Sequence, residues 1–369
     1  MFDLAIVGLG PVGATLAALA GERGLRVVVV ERETAPYSLP RAAHLDGEAL
    51  RILTSVGVHP DGRDLDGFDL VDRRGRLLLR GRPAEAPPAR FPAGRLIHQP
   101  SVESALRERL GAMPNVEIRL GSEVREVQPR AGGVTLETGA GEVSARLAVG
   151  CDGANSRVRE AMGVEVTGGG FEQRWLVVDT RLTRNVLLPS RLLQIADPAR
   201  PTTFVPFAGN RRRWEFRLHP DEPSSAHEDI VRQRLASHVD PDAVEIERAA
   251  VYTFHDLVAS GWRRGRLLLA GDAAHQMPPF LGQGLGAGLR DAWALAPLLA
   301  SVLREGAPLA SLDAYERERR PHVAAVVRQS VRLGRLATLP AGLAGVRDGL
   351  LLAAHRVPPL HRWLLDVRG

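Results

Sequence analysis

The sequence predicts an α/β chain in which a mostly parallel sheet is interleaved with a second sheet and finished by helices. Three observations carry that expectation. A short apolar run, residues 4–7, meets the glycine cluster Gly8-Leu9-Gly10-Pro11-Val12-Gly13 at the very start. Far along the chain a second apolar run, 266–270, ends in Gly271-Asp272 and leads into two prolines and four spaced glycines. Between the two, the apolar spacing switches from strand to helix and back.

The first cluster reads as strand, turn and helix. Residues 4–7 suit a buried strand and 14–20 a helix. Gly8 permits the tight turn, Gly10 lets main chain approach a pyrophosphate, and Gly13 lets helix and strand pack closely. Free N–H groups and the dipole at the helix start favour phosphate charge. Residues 27–30 form the next buried strand, which ends in Glu31-Arg32. Glu31 stands 18 residues past Gly13, near the spacing at which an acid grips a ribose hydroxyl. A glycine-rich turn without a ligand is the bland reading. Strand, glycines, helix, strand and acid in that order argue against it, and for a Rossmann-like dinucleotide site.

The second run places Asp272 at the C-terminal edge of a parallel strand, where α/β sheets bind ligands. Capping the following helix is the plainer role for this acid. His275 has no His, Cys or acid at ligand spacing on a shared helix, so it reads as a hydrogen-bonded structural histidine and no metal is expected. Pro278-Pro279 then fix the backbone, and Gly282, Gly284, Gly286 and Gly288 leave it bare ahead of an Ala- and Leu-rich helix. Such a stretch makes a poor core. It does let a flat ring rest on main-chain N–H groups around Gly282, Gln283 and Gly284.

Composition fits an intracellular enzyme. At 369 residues the length suggests about two domains, and the apolar fraction of 44% is ordinary for a globular protein. The single cysteine, Cys151, rules out an intramolecular disulfide and suits the reducing cytoplasm. The strand and glycine cluster begin at once, leaving no basic and apolar leader, and no apolar stretch is long enough to insert stably in a membrane. All 48 basic side chains are arginine, yet the net charge is only +5. The triplet Arg211-Arg212-Arg213 follows Gly209-Asn210 at a predicted hairpin turn. Without aromatic interleaving it reads as solvated surface, so no nucleic-acid partner is expected. The missing lysine excludes Schiff-base chemistry, a lysine-type phosphate loop and a lysine-dependent flavin halogenase.

Further along, 46–56 reads as a helix and 68–80 as a hairpin around Arg73-Arg74-Gly75. A Pro- and Ala-rich loop covers 82–92. Residues 101–110 form a helix, with Gln99 held extended ahead of it by Pro100, and 116–120, 124–128 and 134–138 form strands. Residues 147–150 end another strand in Asp152-Gly153. Strands at 175–181, 191–195, 203–205 and 213–218 suggest the second sheet, and helices dominate after Gly288. The expected division is a cofactor domain of 1–66, 93–168 and 262–369, and a sheet domain of 67–92 and 169–261.

With Glu31-Arg32, Pro40-Arg41-Ala42, Gln99-Pro100, the stretch Cys151-Asp152-Gly153-Ala154-Asn155-Ser156-Arg157, Phe171-Glu172-Gln173-Arg174-Trp175 and Tyr252-Thr253-Phe254-His255, the chain resembles the single-component FAD-dependent aromatic hydroxylases. This is the group of para-hydroxybenzoate hydroxylase, and the branch acting on 3-(3-hydroxyphenyl)propionate, with related antibiotic-pathway enzymes, is the most similar. The signature of 262–292 and Tyr315-Glu316-Arg317-Glu318-Arg319 complete the match. Two departures stand out. Asp291-Ala292 is followed by Trp293-Ala294-Leu295 where similar proteins carry an Asn-Leu-Ala run, and the chain has no room for the thioredoxin-like domain that ends larger members.

The resemblance implies an FAD-binding domain and a substrate-covering sheet. Arg41 would lie beside the flavin or pyrophosphate, Gln99 would bond the ribityl chain or phosphate, and Asp152 would support FAD and nicotinamide binding, with Arg157 steadying its turn. It further implies NADPH or NADH as reductant and O2 as oxidant, a C4a-hydroperoxide on the flavin, and oxygen transfer to an aromatic, phenolic or polyketide-derived substrate. Pro279 would wall the transfer site, while N–H groups near Gly282 to Gly284 would stabilise charge on the reduced ring. His44 reads as a base toward the phenol or as a structural histidine, with Tyr252 a second candidate base. A flavin-dependent epoxidase, a Baeyer–Villiger oxygenase or a reductase on a non-phenolic substrate shares the same motifs. Monomer and homodimer are both compatible with the sequence.

Overall fold

The computed structural model describes residues 1–36, 42–81, 91–357 and 359–360. Phe2–Val7, Val27–Val30 and Val116–Arg119 run parallel, and Gly141–Gly150 and Leu267–Leu269 continue the sheet on the far side of Phe2–Val7. All four valines of Val27–Val30 are buried, as an interior strand covered on both faces requires. Helix Pro11–Glu22 packs on the sheet between Gln99–Gly111 and Gly284–Arg304. Strands Val124–Pro129 and Val134–Thr138 fold back antiparallel from Gly141–Gly150, and their apolar residues join the same core.

Register decides where function sits. Val7 pairs with Gly150 and with Val30, and Gly150 pairs with Leu269. Gly8, Glu31, Cys151-Asp152 and Gly271-Asp272 therefore leave the sheet at one edge, its C-terminal one.

The second sheet has eight strands, in the order His275–Gln276, Val244–Ala259, Val166–Leu182, Arg211–Arg217, Thr202–Val205, Leu192–Ile195, Phe68–Val71 and Leu77–Gly81. Helix Glu228–Leu235 buries Val231 and Leu235 against Leu176, Val178, Phe204 and Phe216 on one face of it. The hairpin expected over 68–80 is present, with its turn at Gly75 (φ 78°). A third, small sheet joins His44–Asp46, Gly94–Ile97 and Gly62–Asp64.

Several expectations need correcting. The 16-residue strand Val244–Ala259 escapes the sequence pattern because Arg248 breaks the alternation begun by Val244-Glu245-Ile246-Glu247 and the run Ala249-Ala250-Val251 follows without one. Cross-strand partners neutralise its charges: Arg181 faces Glu245, Arg211 faces Glu247, and Asp179 faces Arg248. The arginine triplet is no solvated turn. It opens strand Arg211–Arg217 after the Gly209 turn, and Arg213, 1% exposed, donates from Nε to Asp179 at 2.7 Å. Gln99 is not extended but the first residue of helix Gln99–Gly111; the extended position is His98. Proline is tolerated there because a first turn has no carbonyl four residues back for its ring to strike. The last glycine-rich helix starts at Gly284, so Gly286 and Gly288 lie inside it. Among the described residues no single helix is long and apolar enough to cross a membrane.

Candidate active site

The first motif is a tight main-chain cradle. Gly8 has φ 100°, and a Cβ there would stand 2.5 Å from the Cys151 carbonyl oxygen. On Gly13 a Cβ would meet the Gly8 oxygen at 2.1 Å, whereas at Gly10 it would meet nothing within 4 Å. Two glycines thus serve packing and the middle one leaves open space. Pro11–Glu22 begins at Gly10 with no side-chain cap, so its leading N–H groups are available to a phosphate. Glu31 is fixed beside them: its Oε2 accepts from Leu9 N at 2.7 Å and its Oε1 from Glu33 N at 2.9 Å. Arg32 instead extends into solvent and pairs with Glu33.

Next to the cradle, Asp152 Oδ2 accepts from the main-chain N–H of Arg157 (2.7 Å), while its buried Oδ1 has no partner. Burial pushes this carboxyl above its ordinary range, against several hydrogen bonds that pull it down. The Arg157 side chain turns away to Glu160. Arg159 holds this turn by side chain, donating to the carbonyls of Ala154 (2.6 Å) and Ala273 (2.9 Å). Burial, and then the charges of Asp152 and Asp291, push the Cys151 thiol well up, so it is an inert packing residue.

The second motif folds onto the first. Gly271 has φ 61°, and Val12 fills the space that Gly271 and Gly288 leave bare. Asp272 lies exposed in the short turn Gly271–Ala273 and caps no helix by side chain. Behind it, buried Asp291 accepts from Gly271 N (3.1 Å), His275 Nε2 (2.6 Å) and Arg319 Nε (3.0 Å). Burial alone would raise this carboxyl, but the facing His275 and Arg319 hold it below the ordinary value. His275 is the structural histidine expected. Tyr315 donates to the Leu269 carbonyl at 2.9 Å and Glu316 accepts from Trp262 N, which explains the late Tyr-Glu-Arg-Glu-Arg run.

Pro279 belongs to a rigid platform. Ser330 donates to the Pro278 carbonyl at 2.5 Å, and Phe280 packs on Phe171 (6.0 Å) and Trp175 (5.7 Å) in the place where a Cβ on Gly334 would clash. Gly282 (φ 62°) closes the turn, Gln283 caps helix Gly284–Arg304, and Gln283 Oε1 lies 3.4 Å from Arg290 Nη1. Arg290 also pairs with Asp46, which caps the helix that follows His44.

His44 is partly buried, with Nδ1 3.4 Å from the Gly282 carbonyl oxygen and Nε2 against Gly94. Burial holds its pKa below the ordinary value, with Asp46 opposing and Arg290 assisting. Gln99 accepts from Ala42 N at 2.6 Å and donates to Glu103 at 2.7 Å; Arg41 itself lies outside the described residues. Tyr252 comes from the second sheet, opposite Trp175, whose ring packs on Phe280 of the platform. The roles of Phe280, Gly334 and Arg159 escaped the sequence, and Asp291 and Arg319 stood there only as parts of matched motifs, with no role. The signal for Asp291 was available, as a lone acid in an otherwise apolar helix.

The cradle at Gly10, the orphaned Asp152 oxygen and the uncapped helix start fit a dinucleotide, and the Pro279–Gly284 platform fits a flat ring joined to it. FAD combines both.

Comparison with known proteins agrees. Residues 1–330 match the FAD binding domain family. A probable NADH-specific resorcinol 4-hydroxylase of Rhodococcus jostii (strain RHA1) is 40% identical over 96% of this chain and 69% of its own length. A 3-(3-hydroxy-phenyl)propionate/3-hydroxycinnamic acid hydroxylase of Mycobacterium sp. (strain JLS) is 39% identical over 99% of this chain and 66% of its own. The chain thus spans about two thirds of the length of these relatives. The crystal structure of p-nitrophenol 4-monooxygenase from Pseudomonas putida DLL-E4 superimposes with a TM-score of 0.87 at 27% identity, over 99% of this chain and 96% of that one. The chain belongs to the FAD-dependent aromatic hydroxylases, flavoprotein monooxygenases that use NAD(P)H and O2.

Proposed function

We propose that this chain hydroxylates a phenolic ring at the space between the Pro279 platform and the second sheet. The observation that carries the reading is the single sheet edge shared by the cradle, Glu31, Asp152 and Asp272, with the platform joined to it through Val12 and Gly288. FAD, when bound and reduced, activates O2 so that one oxygen atom passes to an electron-rich ring carbon and the other leaves as water.

The chain's residues bind, orient and protect. Glu31 holds the ribose end and the N–H groups after Gly10 hold phosphate, while Gln99 and Asp272 steady the stretch between them. The start of the 21-residue helix Gly284–Arg304 presents N–H groups and a positive dipole end to the ring. Pro279 and Phe280 wall the space and exclude water. The Gly282 carbonyl requires a proton on His44 Nδ1, which leaves Nε2 as an acceptor, and burial keeps the imidazole neutral. His44 is therefore the candidate acceptor of the phenolic proton, and Tyr252 the second. NADH is the proposed reductant, by the likeness to the probable NADH-specific resorcinol 4-hydroxylase of R. jostii. The substrate domain comprises 67–92 and 169–261, of which 82–90 lie outside the described residues, and the single, partly buried thiol suits a cytoplasmic setting.

The test is NADH consumption by purified, FAD-loaded protein. Phenols should accelerate it several-fold over the substrate-free rate, with a matching loss of dissolved O2. A rate indifferent to every phenol tried would overturn the reading.

A further inference from the structure

Alternation divides the second sheet into two faces. Leu176, Val178, Trp214 and Phe216 pack beneath helix Glu228–Leu235, so Trp175, Val177, Asp179, Arg213 and Glu215 take the opposite face. That face looks at the platform, because Trp175 packs on Phe280 at 5.7 Å. Glu215 stands directly opposite Val177, and Trp175 faces Arg217 two residues further along. Glu215 and Trp175 are therefore diagonal neighbours, about 7–8 Å apart. Val177 in turn faces Ala250, and Trp175 faces Tyr252. The short side chains of Val177 and Ala250 form a step beside the two rings, and Glu215 stands at its edge.

The donors around Glu215 on the sheet are committed elsewhere. Arg213 gives Nε and Nη2 to Asp179 at 2.7 and 3.1 Å, and Arg248 gives Nη1 to the same carboxylate at 3.2 Å. Arg217 reaches the Thr338 carbonyl at 3.1 Å. Thr203, paired with Glu215 from the other side, donates to Gln194 at 2.8 Å. No described residue donates a hydrogen bond to Glu215. The residue is 9% exposed, and its oxygens are not sealed in by packing. Burial pushes its carboxyl above the ordinary value; Arg213 opposes, Asp179 assists and Arg248 opposes. A carboxylate placed in this way costs stability until a donor arrives, and such costs gather where ligands bind.

We infer that Glu215 is a substrate-binding residue: its carboxylate accepts a hydrogen bond from a hydroxyl of the ring bound between this face and the platform, a second hydroxyl beside the one offered to His44. The inference rests on the hydroxylase reading and adds the residue that selects a ring with a second donor.

NADH consumption by the FAD-loaded protein is measured with the three benzenediols, each against the fluorophenol in which fluorine replaces one hydroxyl. Fluorine is small and cannot donate, so the comparison isolates the hydrogen bond. In at least one pair the diol should show a KM roughly ten- to a hundredfold below that of the fluorophenol, the value of one charged hydrogen-bonded contact. Glu215→Gln and Glu215→Ala should close that gap by raising the KM of the diol. Because Glu215→Gln removes a buried charge that nothing in the sheet satisfies, it should melt no lower than wild type. Equal KM values within all three pairs overturn the inference, as does a gap that persists in both variants. A Glu215→Gln protein that melts several degrees lower with its gap unchanged makes Glu215 a structural residue and overturns it too. Acceleration by diols and fluorophenols alike, without a gap, leaves the hydroxylase reading standing; acceleration by none of them removes both.

Discussion

Val12 presses against Gly288: a Cβ on that glycine would stand 2.5 Å from Val12 Cγ2. This contact locks the helix start of the first motif to the helix start of the second, so the phosphate cradle and the ring platform are set at a fixed separation. Gly288→Ala should cost about 1–3 kcal/mol, the usual penalty of overpacking, and weaken FAD binding as well. Thermal melts and FAD titration read both effects. Val12→Ala in the same chain should restore most of each. A Gly288→Ala variant with unchanged melting and affinity would show the contact to be slack.

Glu31→Ala and Asp272→Ala should each loosen FAD from a different end. For Glu31 the loss is a charge-assisted contact, roughly 1.5–3 kcal/mol or a ten- to hundredfold rise in Kd. The flavin is expected to be noncovalent, so acid precipitation should leave all of it in the supernatant. Full FAD occupancy in both variants would misplace the cofactor.

Asp291 anchors Gly271, His275 and Arg319 from a buried position, and its carboxyl is held below the ordinary value of 3.8. The unfolded chain therefore takes up this proton first. The stability contribution is complete above that value and falls away as pH drops through it toward the folded pKa. Asp291→Asn leaves Arg319 and Gly271 N without a charged partner and should cost about 3–5 kcal/mol near neutral pH. The gap between variant and wild type, read from urea melts, should narrow below about pH 4. A gap that stays constant with pH would mean that the charge of Asp291 contributes nothing.

His44→Ala tests the proposed proton acceptor. If Nε2 takes the phenolic proton, product formation should slow by about 10²–10⁴, with FAD binding nearly intact. Because burial keeps the imidazole neutral, the wild-type rate should hold to lower pH than an ordinary histidine allows, and the deficit of the variant should shrink as rising pH ionises the phenol unaided. A wild-type rate in the variant assigns His44 to holding Gly282.

The parallel sheet and both glycine motifs were legible in the sequence because each rests on local rules. Val27–Val30 can only be an interior strand, and Gly8 needs a backbone angle that other residues resist. The second sheet was half legible: the alternation of 175–181 shows, but in Val244–Ala259 Arg248 falls out of step with Glu245 and Glu247, and its place in the sheet shows only once Asp179 is set beside it. Nonlocal hydrogen bonds were the least visible. Nothing in Arg159 itself says that it reaches Ala273, and Arg213 reads as surface until its partner Asp179 is placed beside it.

The central claim is oxygen transfer at the FAD site, and isotopic oxygen tests it most directly. FAD-loaded protein, NADH and 3-(3-hydroxyphenyl)propionate or resorcinol are incubated under ¹⁸O₂ and the product is weighed by mass spectrometry. The account predicts one ¹⁸O atom in a new ring hydroxyl for each NADH consumed, less any loss to hydrogen peroxide. An unchanged ring, or a product whose added oxygen comes from water, would contradict it.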